Sequence, residues 1–229
     1  MKRDYWKKYW NENPAIHSGS PQQQVTRTKN KVPIEDGLWD YTLAGIEKAL
    51  ELRSEDTLLD LGAGNGLVSV PFSRKCRAVV AVDISSALAG RIDTSAHRNI
   101  SVVVGDIMDL EFGENSFTKG IMYSVLQHFS ERDTVRIFEH IHRWLVPGGI
   151  FFIGDIPDVD CLWDFFDTPE REKAYFDSIR HESPVVGTWF KRSFLYKLAC
   201  SAGFSKCEVL DQDPALFNAH YRFDLKLVK

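Results

Sequence analysis

The sequence predicts an α/β domain built around an open, doubly wound sheet of mainly parallel strands. Short apolar runs bounded by charged residues recur from residue 57 onward, and such runs are typical of buried parallel strands. The first run ends in a glycine-rich turn followed by an amphipathic helical run over residues 67–74, and the second ends in Asp83. Acids and glycines at the carboxyl ends of neighbouring strands indicate a ligand-binding edge of the sheet.

The turn after the first strand, residues 57–61, carries glycines at alternate positions, namely Gly62, Gly64 and Gly66. Glycine permits unusual backbone angles and lets a ligand approach the main chain closely. A dinucleotide-binding fingerprint, G-x-G-x-x-G, would need its last glycine at position 67, where this chain has Leu67. The spacing therefore disfavours a nicotinamide dinucleotide, and an NAD-dependent oxidoreductase is kept only as a rival interpretation.

The following strands bring more polar residues to the same edge of the sheet. Residues 78–83 form the second strand, and Asp83 lies 17 residues after Gly66, near the usual position of a ribose-binding acid. Further strands are predicted at residues 100–104, 117–123 and 150–153, with Asp106 after the third strand and the loop 124–129 after the fourth.

With Asp60 just before it, the G-x-G-x-G turn resembles the first motif of the class I S-adenosylmethionine (SAM) dependent methyltransferases. The acids and loops that end the next strands, and the turn 144–149 before the fifth, are similar to that family's later motifs. The resemblance covers roughly residues 55 to 155. It implies a Rossmann-like, seven-stranded sheet of order 3-2-1-4-5-7-6 in which strand 7 is antiparallel, with SAM as the cofactor.

The resemblance also implies which side chains meet the cofactor. Asp83 would accept the ribose hydroxyls, while Asp106 and Ile107 would contact the adenine. Arg27, in the polar segment 18–34, is the candidate partner of the methionine carboxylate because a guanidinium offers a carboxylate two parallel hydrogen bonds. The predicted cofactor-binding residues are Asp60, Gly62, Ala63, Gly64, Asn65, Gly66, Asp83, Ile84, Asp106, Ile107, Ser124 and Arg27.

We expect one domain over residues 1–229, with SAM bound by residues 55–155. Residues 1–34 form an N-terminal arm, and its aromatic residues at positions 5, 6, 9 and 10 would share one face of a helix. That face could pack on the domain, cover the cofactor as a lid, or do both. Residues 155–192 are an aromatic-rich insertion interrupted by Pro157, Pro169 and Pro184, and by resemblance they build the acceptor pocket. Residues 193–229 supply a closing helix that ends at Gly203 and the last hairpin.

His128 is the candidate catalytic residue because the loop after strand 4 lies beside the transferred methyl group in this family. An imidazole can take a proton from a hydroxyl or amine near neutral pH. The alternative is a histidine that only packs. Further pocket candidates, which no spacing argument ranks, are Tyr123, Gln127, His17, His181, Trp189, His220, Tyr221 and Arg222.

The chain has 229 residues and a net charge of −4, which argues against a nucleic-acid partner. Residues 1–31 nevertheless carry a net charge of +5, which either keeps a helix face solvated or meets an anionic group of a small substrate. No apolar run has the length of a membrane span, no secretory signal is predicted, and four scattered cysteines are typical of a reduced, cytoplasmic protein.

No metal site is predicted, because His140 and His142 diverge on a helix and strand 4 ends without a carboxylate. We therefore expect methyl transfer from SAM to a hydroxyl or amine of a small molecule. A loose similarity of residues 24–28 to methyltransferases of sugar or surface-polysaccharide biosynthesis suggests a sugar or polysaccharide precursor. Alternatives are a protein or quinone acceptor, or a SAM-binding protein without catalysis. The sequence indicates no oligomeric state.

Overall fold

A seven-stranded sheet organises the chain in the computed structural model, which describes residues 3–29, 31–183 and 186–229. Lys2 of the basic arm and Pro184 of the insertion lie outside the described residues. The strands are β1 Thr57–Leu61, β2 Ala78–Asp83, β3 Ile100–Val104, β4 Phe117–Tyr123, β5 Leu145–Pro157, β6 Lys206–Asp211 and β7 Arg222–Val228.

The strand order is 3-2-1-4-5-7-6, which confirms the order implied by the family resemblance. The pairs among β1 to β5 are parallel, whereas β7 runs antiparallel to both β5 and β6. Because β1 and β4 are neighbours in the sheet, the glycine turn after β1 and the loop after β4 lie side by side. Ligands of doubly wound sheets bind at such a point, where the strand order reverses.

Helices cover both faces of the sheet. They are α1 Arg3–Ile16, α2 Pro21–Gln24, α3 Asp36–Leu50, α4 Ser69–Ser73, α5 Ser86–Ala89, α6 Glu131–Trp144, α7 Leu162–Phe165, α8 Pro169–Arg180 and α9 Arg192–Ser201. A small antiparallel ladder joins Thr28–Lys29 to Val32–Pro33. None of the described helices has the length and apolar character that a bilayer-spanning helix requires.

Two elements have bounds that differ from those predicted from the sequence. The helix predicted over residues 67–74 is the shorter α4, because the tight turn continues through Gly66, at φ +88°, and α4 begins only at Ser69. The fifth strand is longer than residues 150–153, because Leu145 already pairs with Phe117 on β4. The closing helix α9 ends just before Gly203, whose φ of +93° is the left-handed conformation that glycine adopts at helix ends.

Alternate residues of β1 point into two apolar layers, one on each face of the sheet. Leu59 and Leu61 pack in a layer with α6 and α9, whereas Leu58 packs in a layer with α3 and α4. Burying a large apolar side chain stabilises the fold by about 1.5–3 kcal/mol. The central strands are therefore held from both sides, which fixes the positions of the turns at their carboxyl ends.

Candidate functional site

A cleft with about 1010 Å³ of empty space, including its open mouth, lies at the carboxyl ends of β1, β2 and β4. Every cofactor residue predicted from the sequence lines this cleft, except Gly66. The residues brought together are Asp60, Gly62, Ala63, Gly64, Asn65, Asp83, Ile84, Asp106, Ile107, Ser124 and Arg27, and His128 borders them.

The glycine turn is held by the acid at the end of β2. The carboxylate of Asp83 accepts the backbone N–H of Gly64 at 2.7 Å on one oxygen and that of Ser85 at 2.8 Å on the other. Gly64 has a φ of +57°. A Cβ atom on Gly64 would meet only Val25, at 3.0 Å, so bare backbone faces the cleft there.

The other two glycines serve packing. A Cβ atom on Gly62 would lie 2.3 Å from Val125, so the loop after β4 could not approach β1 with any other residue there. Gly66 faces Val70 and Ile92, each 3.1 Å from a Cβ atom at this position, and it does not line the cleft. Gly62 and Gly64 thus both line the cleft, whereas Gly62 and Gly66 are positions of close packing contact.

Two buried carboxyl groups stand next to each other under the turn. Ser69 Oγ donates a hydrogen bond of 2.5 Å to Asp60. Burial raises the pKa of Asp60 to about 7 against the effect of this hydrogen bond, and the charge of Asp83 raises it further. Burial also raises the pKa of Asp83, while its two backbone hydrogen bonds oppose the rise. A positively charged ligand would favour the ionised form of both groups.

The turn after β3 forms one end of the cleft. Asp106 accepts the backbone N–H of Met108 at 2.9 Å, which fixes its carboxylate at the start of a single 3-10 turn. Ile107, the next residue, is buried and lines the cleft. The pair therefore offers a hydrogen-bond acceptor beside an apolar wall, which suits a flat heterocycle with an amino group.

The N-terminal arm lies across the cleft and is fastened at both sides. Asn11 of α1 accepts the backbone N–H of Ala87 at the start of α5, at 3.2 Å, and the Trp10 carbonyl accepts the Ser85 hydroxyl at 2.8 Å. On the other side, the Asn65 amide donates to the Pro21 carbonyl at 2.8 Å. The arm thus both packs on the domain and covers the cleft.

His128 lies under the aromatic face of this arm. Its ring centroid is 4.2 Å from that of Trp6 and 5.5 Å from that of Trp10. Burial lowers the pKa of His128 to about 3, and the charge of Arg222 lowers it further. The expectation that this imidazole titrates near neutral pH is therefore wrong for this arrangement, because α1 removes it from water. Its role as a base stays a prediction.

A second cavity, with about 830 Å³ of empty space, adjoins the cleft beyond Ser124 and His128. Aromatic residues of α1, of the insertion and of the segment just before β7 form much of its wall. Of the further candidates from the sequence, Gln127, Tyr221 and Arg222 line this cavity and Tyr123 lines the cleft. The remaining candidates, His17, His181, Trp189 and His220, line neither.

Asp155 at the end of β5 is a site residue that the sequence analysis missed. Its carboxylate lies 3.7 Å from Arg27 Nη1 and 3.4 Å from Arg222 Nη1, and its carbonyl accepts a hydrogen bond of 2.5 Å from Arg222. Burial would raise the pKa of Asp155, but the two guanidinium groups outweigh it and lower the pKa. The sequence did contain a signal for this residue, because Asp155 comes soon after the predicted strand 150–153, much as Asp83 ends the predicted strand 78–83.

The backbone adopts left-handed conformations at Asp155 and at the neighbouring Ser124. Asp155 has a φ of +62° and Ser124, at the end of the neighbouring β4, has a φ of +59°. Left-handed conformations are uncommon for residues other than glycine, asparagine and aspartate, and strained residues cluster at functional sites. Both residues border the second cavity.

Comparison with known proteins agrees with this geometry. Residues 59–153 match a family model described as a methyltransferase domain. The comparison therefore shows a methyltransferase domain over residues 59–153, whose cofactor is SAM.

The methyltransferase domain has several relatives among characterised proteins. It is 31% identical over 114 residues to demethylmenaquinone methyltransferase of Corynebacterium kroppenstedtii, a match that covers 50% of this chain and 46% of the relative. A probable ribosomal RNA small subunit methyltransferase A of Methanosarcina mazei is 30% identical over 110 residues, covering 47% of this chain and 38% of that protein. The matched part thus spans less than half the length of either relative.

Solved structures share the fold over nearly the whole chain. Phosphoethanolamine N-methyltransferase 1 of Haemonchus contortus, in complex with phosphoethanolamine and S-adenosylhomocysteine, matches 99% of this chain and 48% of its own with a TM-score of 0.71 at 15% identity. A SAM-dependent methyltransferase of Leishmania major matches 99% of this chain and 82% of its own with a TM-score of 0.70 at 12% identity. At these identities the similarity concerns the fold.

Proposed function

We propose that this chain transfers the methyl group of SAM to a hydroxyl or amine of a small molecule. The observation that carries the proposal is the junction of the two cavities. The cleft with the glycine turn and the second cavity share Ser124 and His128 as a common wall, with the arm residues Trp6 and Trp10 above it. A cofactor in the first and an acceptor in the second would meet there, shielded from water.

The residues of the cleft fit SAM. Gly64 faces the cleft with bare backbone, Asp83 keeps lone pairs for the ribose hydroxyls beside its two backbone bonds, and Asp60 adds a second acidic group below. Bound SAM supplies a methyl group already activated on a cationic sulfur. Asp106 and Ile107 would hold the adenine, and Arg27 would pair with the carboxylate.

The contribution of the protein to the reaction is then mainly position and the exclusion of water. The neutral imidazole of His128 has an Nδ1 atom that is buried without a hydrogen-bond partner among the described residues. It would hydrogen-bond an acceptor hydroxyl or amine and orient it toward the methyl group. With a pKa of about 3, it is a weak base, so it orients the acceptor more effectively than it removes a proton.

A small, polar acceptor is favoured over the alternatives. The wall of the second cavity carries Arg222, Asp155 and Gln127, which suit a hydroxylated molecule such as a sugar or polysaccharide precursor better than a quinone. The relatives named for quinone and ribosomal RNA methylation keep those acceptors as alternatives. The net charge of −4 disfavours RNA.

Calorimetry with SAM, S-adenosylhomocysteine and NAD tests the cofactor. We expect binding of the first two and no binding of NAD; the reverse result would point to an oxidoreductase. A methyl-transfer screen against sugar nucleotides, simple amines, a demethylated quinone and ribosomal RNA then tests the acceptor. SAM binding without transfer to any of these acceptor classes would support a binding protein without catalysis.

A further inference from the structure

We propose that the acceptor carries an anionic group, a carboxylate or a phosphate ester, and that Arg222 binds it in the second cavity. This inference rests on the proposed function, because it assigns the second cavity to the acceptor. It concerns the chemistry that the acceptor must have, whatever atom receives the methyl group.

The charges on the cavity wall carry the inference. Among the described residues that line this cavity, the charged side chains are Arg27, Arg222 and Asp155, since His128 is neutral. The wall therefore presents two guanidinium groups and one carboxylate. Burying a charge without a partner is strongly unfavourable, so a wall with two buried guanidinium groups and one carboxylate favours an anionic ligand.

Asp224, the other nearby acid, does not offset the positive charge at the cavity wall. Asp224 lies behind Asp155, accepts the Asp155 backbone N–H and the Gln212 amide, each at 2.8 Å, and does not line the cavity. Burial also raises the pKa of Asp224 to about 6, so its carboxylate stays mostly ionised at pH 7, but it is held behind Asp155 by these two hydrogen bonds. Asp155 itself is shared between both arginines at 3.7 Å and 3.4 Å.

The two arginines differ in what they face. Arg27 borders both cavities and lies over the Tyr123 ring, 4.2 Å from its centroid, so it can reach a carboxylate of the cofactor. Arg222 borders only the second cavity, where its guanidinium lies over the Tyr221 ring at 5.1 Å. One guanidinium thus faces each ligand, and both lie within 4 Å of the Asp155 carboxylate.

Three buried polar atoms around the cavity point to a polar ligand. Gln127 Oε1, His128 Nδ1 and Arg222 Nε have no hydrogen-bond partner among the described residues, and all three residues line the cavity. Buried polar groups are normally hydrogen-bonded, so this concentration indicates a site that a ligand or water completes. Arg222 is only 7% exposed, so its charge is largely removed from solvent.

The test is thermal unfolding of the protein saturated with S-adenosylhomocysteine, in low-millimolar inorganic phosphate, acetate or chloride at equal ionic strength. We expect a saturable rise in Tm of about 2–4 °C with phosphate or acetate relative to chloride. Arg222→Gln should abolish the rise and Arg222→Lys should keep part of it. The control Arg180→Gln, on the exposed face of α8, should keep all of it.

Equal melting temperatures of the parent protein in the three salts would overturn the inference, and so would a rise that persists in Arg222→Gln. Should Arg222→Gln not fold, a rise in Arg222→Lys equal to that of the parent would overturn it as well. A larger response to phosphate identifies a phosphate ester as the acceptor group, and a larger response to acetate identifies a carboxylate. Calorimetric titration of S-adenosylhomocysteine into each variant distinguishes failure of this inference from failure of the proposed function. If only the inference fails, the affinity for S-adenosylhomocysteine stays unchanged.

Discussion

The carboxylate of Asp83 accepts the backbone N–H of Gly64 at 2.7 Å, so the end of β2 holds the turn that follows β1. The same carboxylate accepts the N–H of Ser85 at the start of α5, which is also where α1 is fastened. One buried acid thus connects the glycine turn, the second strand and the covering arm. If Asp83 binds the ribose as proposed, cofactor binding and local stability are coupled at this residue.

Asp83→Ala should therefore weaken SAM binding and destabilise the fold together. Loss of charge-assisted hydrogen bonds to the ribose should reduce SAM affinity by about 2–4 kcal/mol. The amides of Gly64 and Ser85 would lose their acceptor, which should lower the free energy of unfolding by about 1–3 kcal/mol. Calorimetry and urea unfolding measure the two effects.

Asp83→Asn separates these effects because it keeps an acceptor oxygen for one amide while removing the charge. The matched control is Asp40→Ala, which removes an exposed acid from α3 and should leave both quantities unchanged. Unaltered SAM affinity in a folded Asp83→Ala protein would exclude Asp83 from the cofactor site.

Asp60 should make the protein less stable as the pH rises. Its folded pKa of about 7 lies above the unfolded value near 3.9, so its contribution is fully present below about pH 4 and is lost as the pH rises through 7. Asp60→Asn cannot ionise and keeps an oxygen that accepts the Ser69 hydroxyl. The variant should show a flatter dependence of unfolding free energy on pH, by up to about 1.4 kcal/mol per unit between pH 4 and 7.

Urea unfolding from pH 4 to 8 measures this slope, with Asp40→Asn as the control. Asp83, whose pKa is also raised, should leave a residual slope in the variant. A parent and an Asp60→Asn protein with parallel pH profiles would show that Asp60 is ionised in the folded state.

The sheet was predictable from local patterns, whereas part of the site was not. The bounds of β1 to β3 follow from apolar runs that end in glycine or aspartate, signals contained within a few residues. Asp155 and the burial of His128 depend instead on long-range contacts. Arg27 reaches Asp155 from the arm and Arg222 reaches it from β7, and Trp6 covers His128 from α1.

Asn11→Ala should release the arm from the domain. The Asn11 side chain accepts the Ala87 N–H at 3.2 Å and lies 3.2 Å from the Ser85 hydroxyl, so its loss removes hydrogen bonds by which α1 holds the start of α5. Loss of such a hydrogen bond costs about 1 kcal/mol. We expect faster amide hydrogen exchange over residues 3–16 and SAM affinity several-fold weaker. Glu12→Ala, at an exposed neighbouring position, is the control. Unchanged exchange in Asn11→Ala would mean that the other contacts of the arm hold it without Asn11.

Removing the His128 side chain should lower turnover, although His128 itself does not titrate near neutral pH. If it orients or deprotonates the acceptor, His128→Ala should reduce turnover by roughly 10²- to 10⁴-fold while SAM affinity changes little. Because its pKa is about 3, the parent rate should not rise through a histidine titration between pH 6 and 8.

The unfolded imidazole titrates near pH 6.5, so the contribution of His128 to stability is present above that pH and is lost as the pH falls toward 3. His128→Asn should flatten this acid limb, with exposed His181→Asn as the control. Turnover that survives in His128→Ala would assign the residue to packing beneath Trp6 and leave proximity as the source of the rate.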